Sequence, residues 1–411
     1  NCETFKSTDD FIEAFDSLTF ENEILLVKGA RSFGFEKIVT LLEQKTHETV
    51  LEINLNAISH NLSYYKTKLK STTKLMVMVK AFGYGNGGFE IAKLLEHLKV
   101  DYLGVAFADE GISLKLAGIK TNIMVLNPEN TSFPSIIQYE LEPEIYCMKG
   151  LNSFLKIAQQ KELQHYPIHL KIDTGMHRLG FQEHDLPALI ETLKNTPSIK
   201  VKSILSHLAT SDDLENQDFA KQQLVLFENL SKKIMEELEI TPIRHILNTS
   251  GISNFSESQY DMVRLGIGLY GISNDEKEQK YLENVSTLKS VVSQIKTISQ
   301  GESVGYSRRF IAERTTKIAT IPIGYADGIS RSWGNQVGYI MIKNKKAPIV
   351  GSICMDMLMV DCTAIDCNEG DSVIIFGGNL TVKEMAEKTN TIPYEILTSI
   401  SQRVKRIFYR E

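Results

Sequence analysis

From Val50 onward the chain alternates short runs of β-branched and apolar residues with longer runs whose apolar positions fall at helical spacing. An opening strand at Val50–Leu55 leads into a helix carrying Ile58, Leu62, Tyr65 and Leu69 on one stripe. Eight strand candidates follow: Leu75–Ala81, Leu103–Phe107, Ile123–Leu126, Glu144–Cys147, His169–Asp173, Ser203–Leu208, His245–Asn248 and Met262–Leu269. As a set the runs are continuous rather than alternating in hydrophobicity, as expected for strands covered on both faces. Helical patterns such as Phe89–Leu98, Leu186–Leu193 and Ala220–Leu238 lie between them. The pattern predicts an α/β fold, a closed (β/α)8 TIM barrel over residues 48–285. A doubly wound open sheet is the alternative, because strand count does not give topology.

After Ser286 strands dominate, at Val291–Ile298, Ile318–Ile323, Tyr339–Ile342, Pro348–Ile353, Leu358–Cys362, Val373–Phe376 and Val404–Tyr409. They predict a mainly β C-terminal domain over 286–411, with a hairpin turn at Lys343–Lys346 and short helices at Val382–Lys388 and Glu395–Ser401. Residues 1–47 read as a helix from Thr8 to Leu18, a strand from Glu23 to Val27, a turn at Lys28-Gly29-Ala30 and a helix from Phe35 to Gln44. A piece of that length without disulfides or metal has too little core to stand alone, so it reads as the end of another domain.

At 411 residues the chain is long enough for both larger domains. Its 45 Lys and Arg against 51 Asp and Glu give a net charge of −6 with no basic run that could track phosphates, which argues against nucleic acid as a partner. No apolar stretch approaches the roughly 20 residues of a membrane span. Five scattered cysteines (Cys2, Cys147, Cys354, Cys362, Cys367) form no C-x-x-C pair and suggest neither a disulfide framework nor a metal site. A reducing cytoplasm is the simplest home for them.

Catalytic groups of a barrel gather at the C-terminal ends of its strands. Here those ends carry Lys80 with Tyr84-Gly85 beyond, Lys171 and Asp173 with Arg178 beyond, Ser206-His207, Asn248-Thr249-Ser250, and Arg264-Leu265-Gly266-Ile267-Gly268. The last two supply hydroxyls and a Gly-x-Gly segment where barrels commonly bind phosphate. A lysine at the end of an apolar strand is partly desolvated, which favours its neutral, imine-forming amine. Phosphate plus such an amine suggests pyridoxal 5'-phosphate. Taken singly, Lys80 also fits a snorkelling surface side chain, Thr249 and Ser250 a helix cap, and His207 a core histidine. The conjunction at five strand ends is what favours a site.

The segments Val79–Gly85, His169–Met176, Asp261–Ile267, Ile321–Gly328, Ile353–Asp356 and Tyr394–Ile396 together resemble the barrel-fold, pyridoxal-phosphate-dependent alanine racemase family, from about Val50 to the C-terminus. The resemblance implies interconversion of L- and D-alanine through an aldimine at Lys80, supplying D-alanine for peptidoglycan. It implies Tyr84, Thr249, Gly266, Ile267 and Tyr394 around the coenzyme phosphate, with Asn248 also at the coenzyme. Arg264 would face the pyridine nitrogen, and a guanidinium there leaves that nitrogen unprotonated. It further implies Tyr306 as the second base, contributed by the partner of a homodimer with shared sites, with His207 and Arg264 behind it easing loss of its proton. Arg178 would lie near the ring oxygen and substrate carboxylate, Lys171 at a position often modified to a carbamate, and Tyr325, Met355 and Asp356 on the substrate side. A broader amino-acid racemase or a decarboxylase on the same plan is the alternative. Ser307-Arg308-Arg309 after the tyrosine and Phe82-Gly83-Tyr84-Gly85-Asn86 after the lysine depart from the family's common runs.

The run Leu26–Glu36 resembles the end of the ligase that adds D-alanyl-D-alanine to the peptidoglycan precursor, which implies a ligase–racemase fusion remnant over residues 1–47. No Gly-x-x-x-x-Gly-Lys-Ser/Thr loop accompanies it.

Overall fold

The eight expected barrel strands all form, each ending short of its expected end. With β1 at Val50–Asn54, they are β2 Lys74–Met78, β3 Tyr102–Val105, β4 Asn122–Val125, β5 Glu142–Ile145, β6 Tyr166–Lys171, β7 Ile199–Leu205, β8 Ile243–His245 and β9 Met262–Leu265. The residues that drop out of the ladder, Lys80, Asp173, His207 and Asn248 among them, form the loops of the barrel mouth. All pairings are parallel, in the order β8-β7-β6-β5-β4-β3-β2-β9. The two ends of that order meet through backbone bonds, Asp261 N–H donating to Arg244 C=O at 3.1 Å and Arg264 N–H to Leu247 C=O at 2.9 Å. The sheet is therefore a closed barrel and not the open alternative.

These data come from a computed structural model, which describes residues 4–15, 18, 25–30, 33–35, 38, 48–213 and 215–410. The chain divides into two compact units, Asn1–Thr49 and Val50–Glu411. In the first unit the expected leading helix is present as Thr8–Ala14, capped by the Ser7 hydroxyl, and residues 25–30 have no regular structure. The start of the expected strand, at Glu23, and nearly all of the expected helix Phe35–Gln44 lie outside the described residues. Among the described residues no helix is long and apolar enough to cross a membrane, and Cys147, Cys354, Cys362 and Cys367 are free thiols.

The C-terminal region is mainly β, as expected. Its six-stranded sheet runs Lys345–Pro348, Tyr339–Ile342, Ser372–Phe376, Ser286–Val291, β1, Lys405–Tyr409. The hairpin turn is present at Lys343-Asn344, both residues having positive φ. Two expectations are corrected. The single strand Val291–Ile298 is two, Ser286–Val291 and Gln294–Ile298. Val292 N–H bonds Asp371 in one sheet while Ser293 N–H bonds Thr320 in the other, so the chain changes sheets there. Likewise the ladder at Pro348–Ile353 is occupied instead by Lys345–Pro348, the register that the two-residue turn imposes.

The strand β1 pairs antiparallel with Ser286–Val291 and parallel with Lys405–Tyr409, so the segment that leads into the barrel is a central strand of the other sheet. The Asn54 side chain then caps the helix Leu55–Thr67, which buries Ala57, Ile58, Leu62 and Tyr65. Ile53 in β1 is fully buried. We expect Ile53→Ala to lower the unfolding free energy by roughly 2–5 kcal/mol, measured by urea denaturation; a loss under about 0.5 kcal/mol would mean that β1 does not anchor the sheet.

Candidate active site

A cavity of about 530 Å³ opens at the C-terminal mouth of the barrel. Of the residues proposed from sequence, Lys80, Tyr84, Lys171, Arg178, His207, Asn248, Thr249, Arg264, Gly266 and Tyr394 all line it. Four of them are cations. Among the described residues no Asp or Glu lines it, so the cavity is matched to anions. Ile267, buried beside Gly266, is not in the lining.

Lys80 enters this cavity from an unusual turn. Ala81, Phe82, Gly83 and Tyr84 all have left-handed backbone angles, with φ of 52°, 54°, 58° and 54°. For the three non-glycine residues this costs about 1–2 kcal/mol each. The turn is held from both sides. Glu110 accepts the Ala81 N–H at 2.5 Å through one carboxylate oxygen, and through the other the N–H groups of Ala106 at 2.7 Å and Phe107 at 3.2 Å. Gly85, at φ 80°, lies so close to the Leu397 carbonyl that no side chain fits, and its own carbonyl accepts Arg406 Nε–H at 3.0 Å. The turn thus faces Lys80 and the Tyr84 ring into one cavity, with Tyr394 of the C-terminal region 5.8 Å from Tyr84 ring to ring. Burial and the positive charges of Arg178, Lys171 and Arg264 push the Lys80 amine below the ordinary lysine range, against a smaller opposing effect of Glu110.

Arg264, at the end of β9, is 4% exposed and pairs directly with no carboxylate. Its Nη1 donates to His245 Nδ1 at 2.8 Å and to the His245 carbonyl at 3.3 Å. Its Nη2 donates to the carbonyls of Ser206 at 2.7 Å and Ile246 at 3.0 Å, and to His207 Nδ1 at 3.2 Å. Burial pushes its pKa down to about 10, still well above neutrality. Burial and the guanidinium hold His207 and His245 far below the usual histidine range, so both are neutral. A neutral imidazole that accepts at Nδ1 carries its proton on Nε2. Lys171 donates to Glu144 at 2.9 Å, both side chains being buried; burial raises Glu144 despite that partner.

Thr249 Oγ1 accepts the Gly266 N–H at 2.8 Å, and the Asn248 side chain caps the turn after it by accepting the Gly251 N–H at 3.0 Å. A Cβ at Gly266 would stand 3.0 Å from Tyr84 Oη and 3.5 Å from Thr249 Oγ1, so glycine leaves open a space on which both hydroxyls converge. Tyr306, Tyr325, Met355 and Asp356 do not line this cavity. Tyr306 is 71% exposed, Met355 and Tyr325 are exposed, and Asp356 pairs with Arg403 at 2.7 Å. Sequence reasoning missed Glu110 and His245, which follow Asp109 and Arg244 and carry no local signal that sets them apart.

The class of protein follows from comparison. The family model described as alanine racemase, N-terminal domain, matches residues 53–274, and that described as alanine racemase, C-terminal domain, matches residues 285–408. The chain belongs to the alanine racemase family, whose members are pyridoxal-phosphate-dependent isomerases. It is 36% identical over 369 residues to alanine racemase 2 of Caldanaerobacter subterraneus subsp. tengcongensis, covering 88% of this chain and 94% of that one. The solved alanine racemase of Clostridium difficile 630 superposes with a TM-score of 0.84 at 34% identity, covering 89% of this chain and 97% of that one. That of Bartonella henselae, with covalently bound pyridoxal phosphate, gives 0.81 at 31%, covering 88% and 99%.

Because Arg178 is the largest charge depressing Lys80, Arg178→Ala raises the Lys80 pKa and leaves less neutral amine at a given pH. In the coenzyme-free chain the pH midpoint for labelling Lys80 with an amine-selective reagent is expected to move upward. A midpoint that stays put or moves down contradicts this electrostatic account.

Proposed function

We propose that this chain interconverts L- and D-alanine by two-base proton transfer with pyridoxal 5'-phosphate as coenzyme. The observation that carries the reading is an amine, Lys80, in a cavity lined by three further cations and no acid, which suits a phosphorylated aldehyde and an amino-acid carboxylate. The residues fit the coenzyme: the space at Gly266, faced by the Tyr84 and Thr249 hydroxyls, suits a phosphate. Tyr84, Thr249, Gly266, Ile267 and Tyr394 would hold the phosphate, Asn248 would also lie at the coenzyme, Lys80 would bind the aldehyde carbon and Arg264 would face the ring nitrogen. When bound, the coenzyme supplies the electron sink that makes the substrate Cα–H acidic.

The protein's own groups do the rest. Lys80, its amine pushed toward the neutral form, takes or returns the proton on one face of Cα. Arg264 donates hydrogen bonds but gives up no proton near neutrality, which leaves the ring nitrogen unprotonated and disfavours side reactions that need a protonated ring. Arg178 binds the substrate carboxylate. The opposite face needs a second base, and Tyr306 fills that role from a second copy of the chain. Its exposure, away from the cavity of its own chain, supports a homodimer with shared sites. His207, kept as an Nε2–H donor by Arg264, is suited to hold the phenolate oxygen. Tyr325, Met355 and Asp356 would border the substrate entry from the β domain. Lys171 Nζ meets Glu144 Oε1 at 2.9 Å, so its carbamylation would require that carboxyl group to turn away or to donate a hydrogen bond in its protonated form.

On the same reading residues 48–285 form the coenzyme-binding domain and 286–411 the β domain, and the enzyme works in the cytoplasm, making D-alanine for peptidoglycan. The ligase-like run Leu26–Glu36 supports residues 1–47 as a ligase remnant. Tyr306→Phe is expected to keep the coenzyme's visible absorbance and to lose turnover roughly 10²–10⁴-fold. Mixed with Lys80→Ala chains, it should regain about a quarter of wild-type activity, since half the dimers are hybrids with one intact site. Full turnover by Tyr306→Phe, or no recovery in proven hybrids, refutes the shared two-base site.

A further inference from the structure

Barrel interiors are filled mainly by branched apolar side chains. Here five neighbouring strands contribute one polar residue each to a single connected chain: Arg264 at the end of β9, His245 on β8, Ser203 on β7, His169 on β6 and Glu142 on β5. His245, Ser203 and His169 are fully buried, and Arg264 and Glu142 nearly so. Arg264 Nη1 meets His245 Nδ1 at 2.8 Å and His245 Nε2 meets Ser203 Oγ at 2.9 Å. Ser203 Oγ meets His169 Nδ1 at 2.6 Å, and His169 Nε2 meets Glu142 Oε2 at 2.8 Å. Glu142 Oε2 also accepts the Tyr102 hydroxyl at 3.2 Å.

The two ends decide the direction of every link. A guanidinium can only donate, so His245 Nδ1 must accept and the His245 proton sits on Nε2. That proton goes to Ser203, whose single hydroxyl proton is then free for His169 Nδ1. His169 in turn carries its proton on Nε2 and gives it to the Glu142 carboxylate, which can only accept. The reverse arrangement would set an N–H of His245 against an N–H of Arg264 and a lone pair of His169 against the lone pairs of Glu142. Both conflicts would be buried beyond the reach of water.

We propose that this chain is a one-way hydrogen-bond relay in which Ser203, His169 and Glu142 are positioning residues that lock His245 as an Nε2–H imidazole, thereby fixing the Arg264 guanidinium in the cavity. A His245 ring free to exchange tautomers would withdraw one of the five acceptors of Arg264 part of the time and set an N–H against the guanidinium, loosening its hold on that side. The effect on turnover rests on the functional reading above, while the relay itself does not.

The test uses the full chain, with and without coenzyme, labelled with ¹⁵N in the histidine rings; the His169 and His245 signals are assigned by their loss in His169→Gln and His245→Gln. Both rings are expected as neutral Nε2–H tautomers in both states, and an Nδ1–H tautomer or an imidazolium at either overturns the relay. Ser203→Ala removes the central link. It should shift the His245 Nε2 and His169 Nδ1 signals, lower kcat roughly 3- to 10-fold, the size of one lost hydrogen bond, leave KM for alanine unchanged and raise the share of coenzyme lost to transamination. Ser203→Thr, which keeps the hydroxyl, should restore all of these. Unmoved ring signals with wild-type kcat in Ser203→Ala overturn the proposal. Should Ser203→Ala fail to fold, the wild-type tautomers still decide it. The ring signals need no turnover, so their failure leaves the two-base reading standing, and failure of the Tyr306 test leaves the ring signals in place.

Discussion

Three L-residues and a glycine in succession hold a left-handed turn beside Lys80, and much of the molecule serves to keep that turn in place. The strain of several kcal/mol is opposed by charge-assisted bonds from Glu110 to three backbone amides and by the C-terminal region. There Leu397 packs against Gly85, Arg406 donates to its carbonyl and Tyr394 meets Tyr84. The β domain therefore has a direct part in shaping the barrel's cavity. β1 reinforces the arrangement, because the strand that leads into the barrel is locked between two strands of the other sheet. Strain concentrated at one place and offset by its surroundings is characteristic of functional sites.

A second constraint is electrostatic. Lys80, Lys171, Arg178 and Arg264 border the cavity; Lys171 is paired with Glu144 and the histidines nearest Arg264 are neutral, so it is the two guanidiniums above all whose charge is left for a ligand to satisfy. Burial first, and then the same charges, push the Lys80 amine toward the form that can attack a carbonyl. Anion recognition and nucleophile activation are thus two results of one distribution of charge. Arg264 is central to it: a buried guanidinium satisfied by carbonyls and imidazoles keeps its own proton while dictating where its neighbours keep theirs.

The eight strands were legible because runs covered on both faces are apolar and alternate with helical ones; their closure was not, since an open doubly wound sheet shows the same runs, and it is the backbone bonds between β8 and β9 that decide it. Nine of the ten proposed site residues that meet in one cavity do so because strand ends in a barrel share a mouth; Tyr394 reaches it from the C-terminal region. What was not legible has a common cause, dependence on distant partners. Nothing local in Ala81-Phe82-Gly83-Tyr84 predicts left-handed angles; Glu110, from the first turn of the helix that follows β3, stabilises them. The β1 pattern is that of any buried strand and does not name its neighbours. The change of sheet at Val292-Ser293 is invisible in a run that is apolar on both sides of it. Glu142, His169 and Ser203 look like isolated polar residues until adjacent strands bring them into a line. Tyr306, Tyr325, Met355 and Asp356, named through the family resemblance, lie outside the cavity of the single chain.

The account turns on whether the side chain that the strained turn aims into the cavity is the one that captures the coenzyme. The direct measurement is borohydride reduction of the purified protein loaded with pyridoxal phosphate, followed by mass mapping of the modified peptide. The account predicts loss of the visible absorbance and one stable pyridoxyl adduct, on Lys80. An adduct on another lysine, or no reducible chromophore at all, would contradict it.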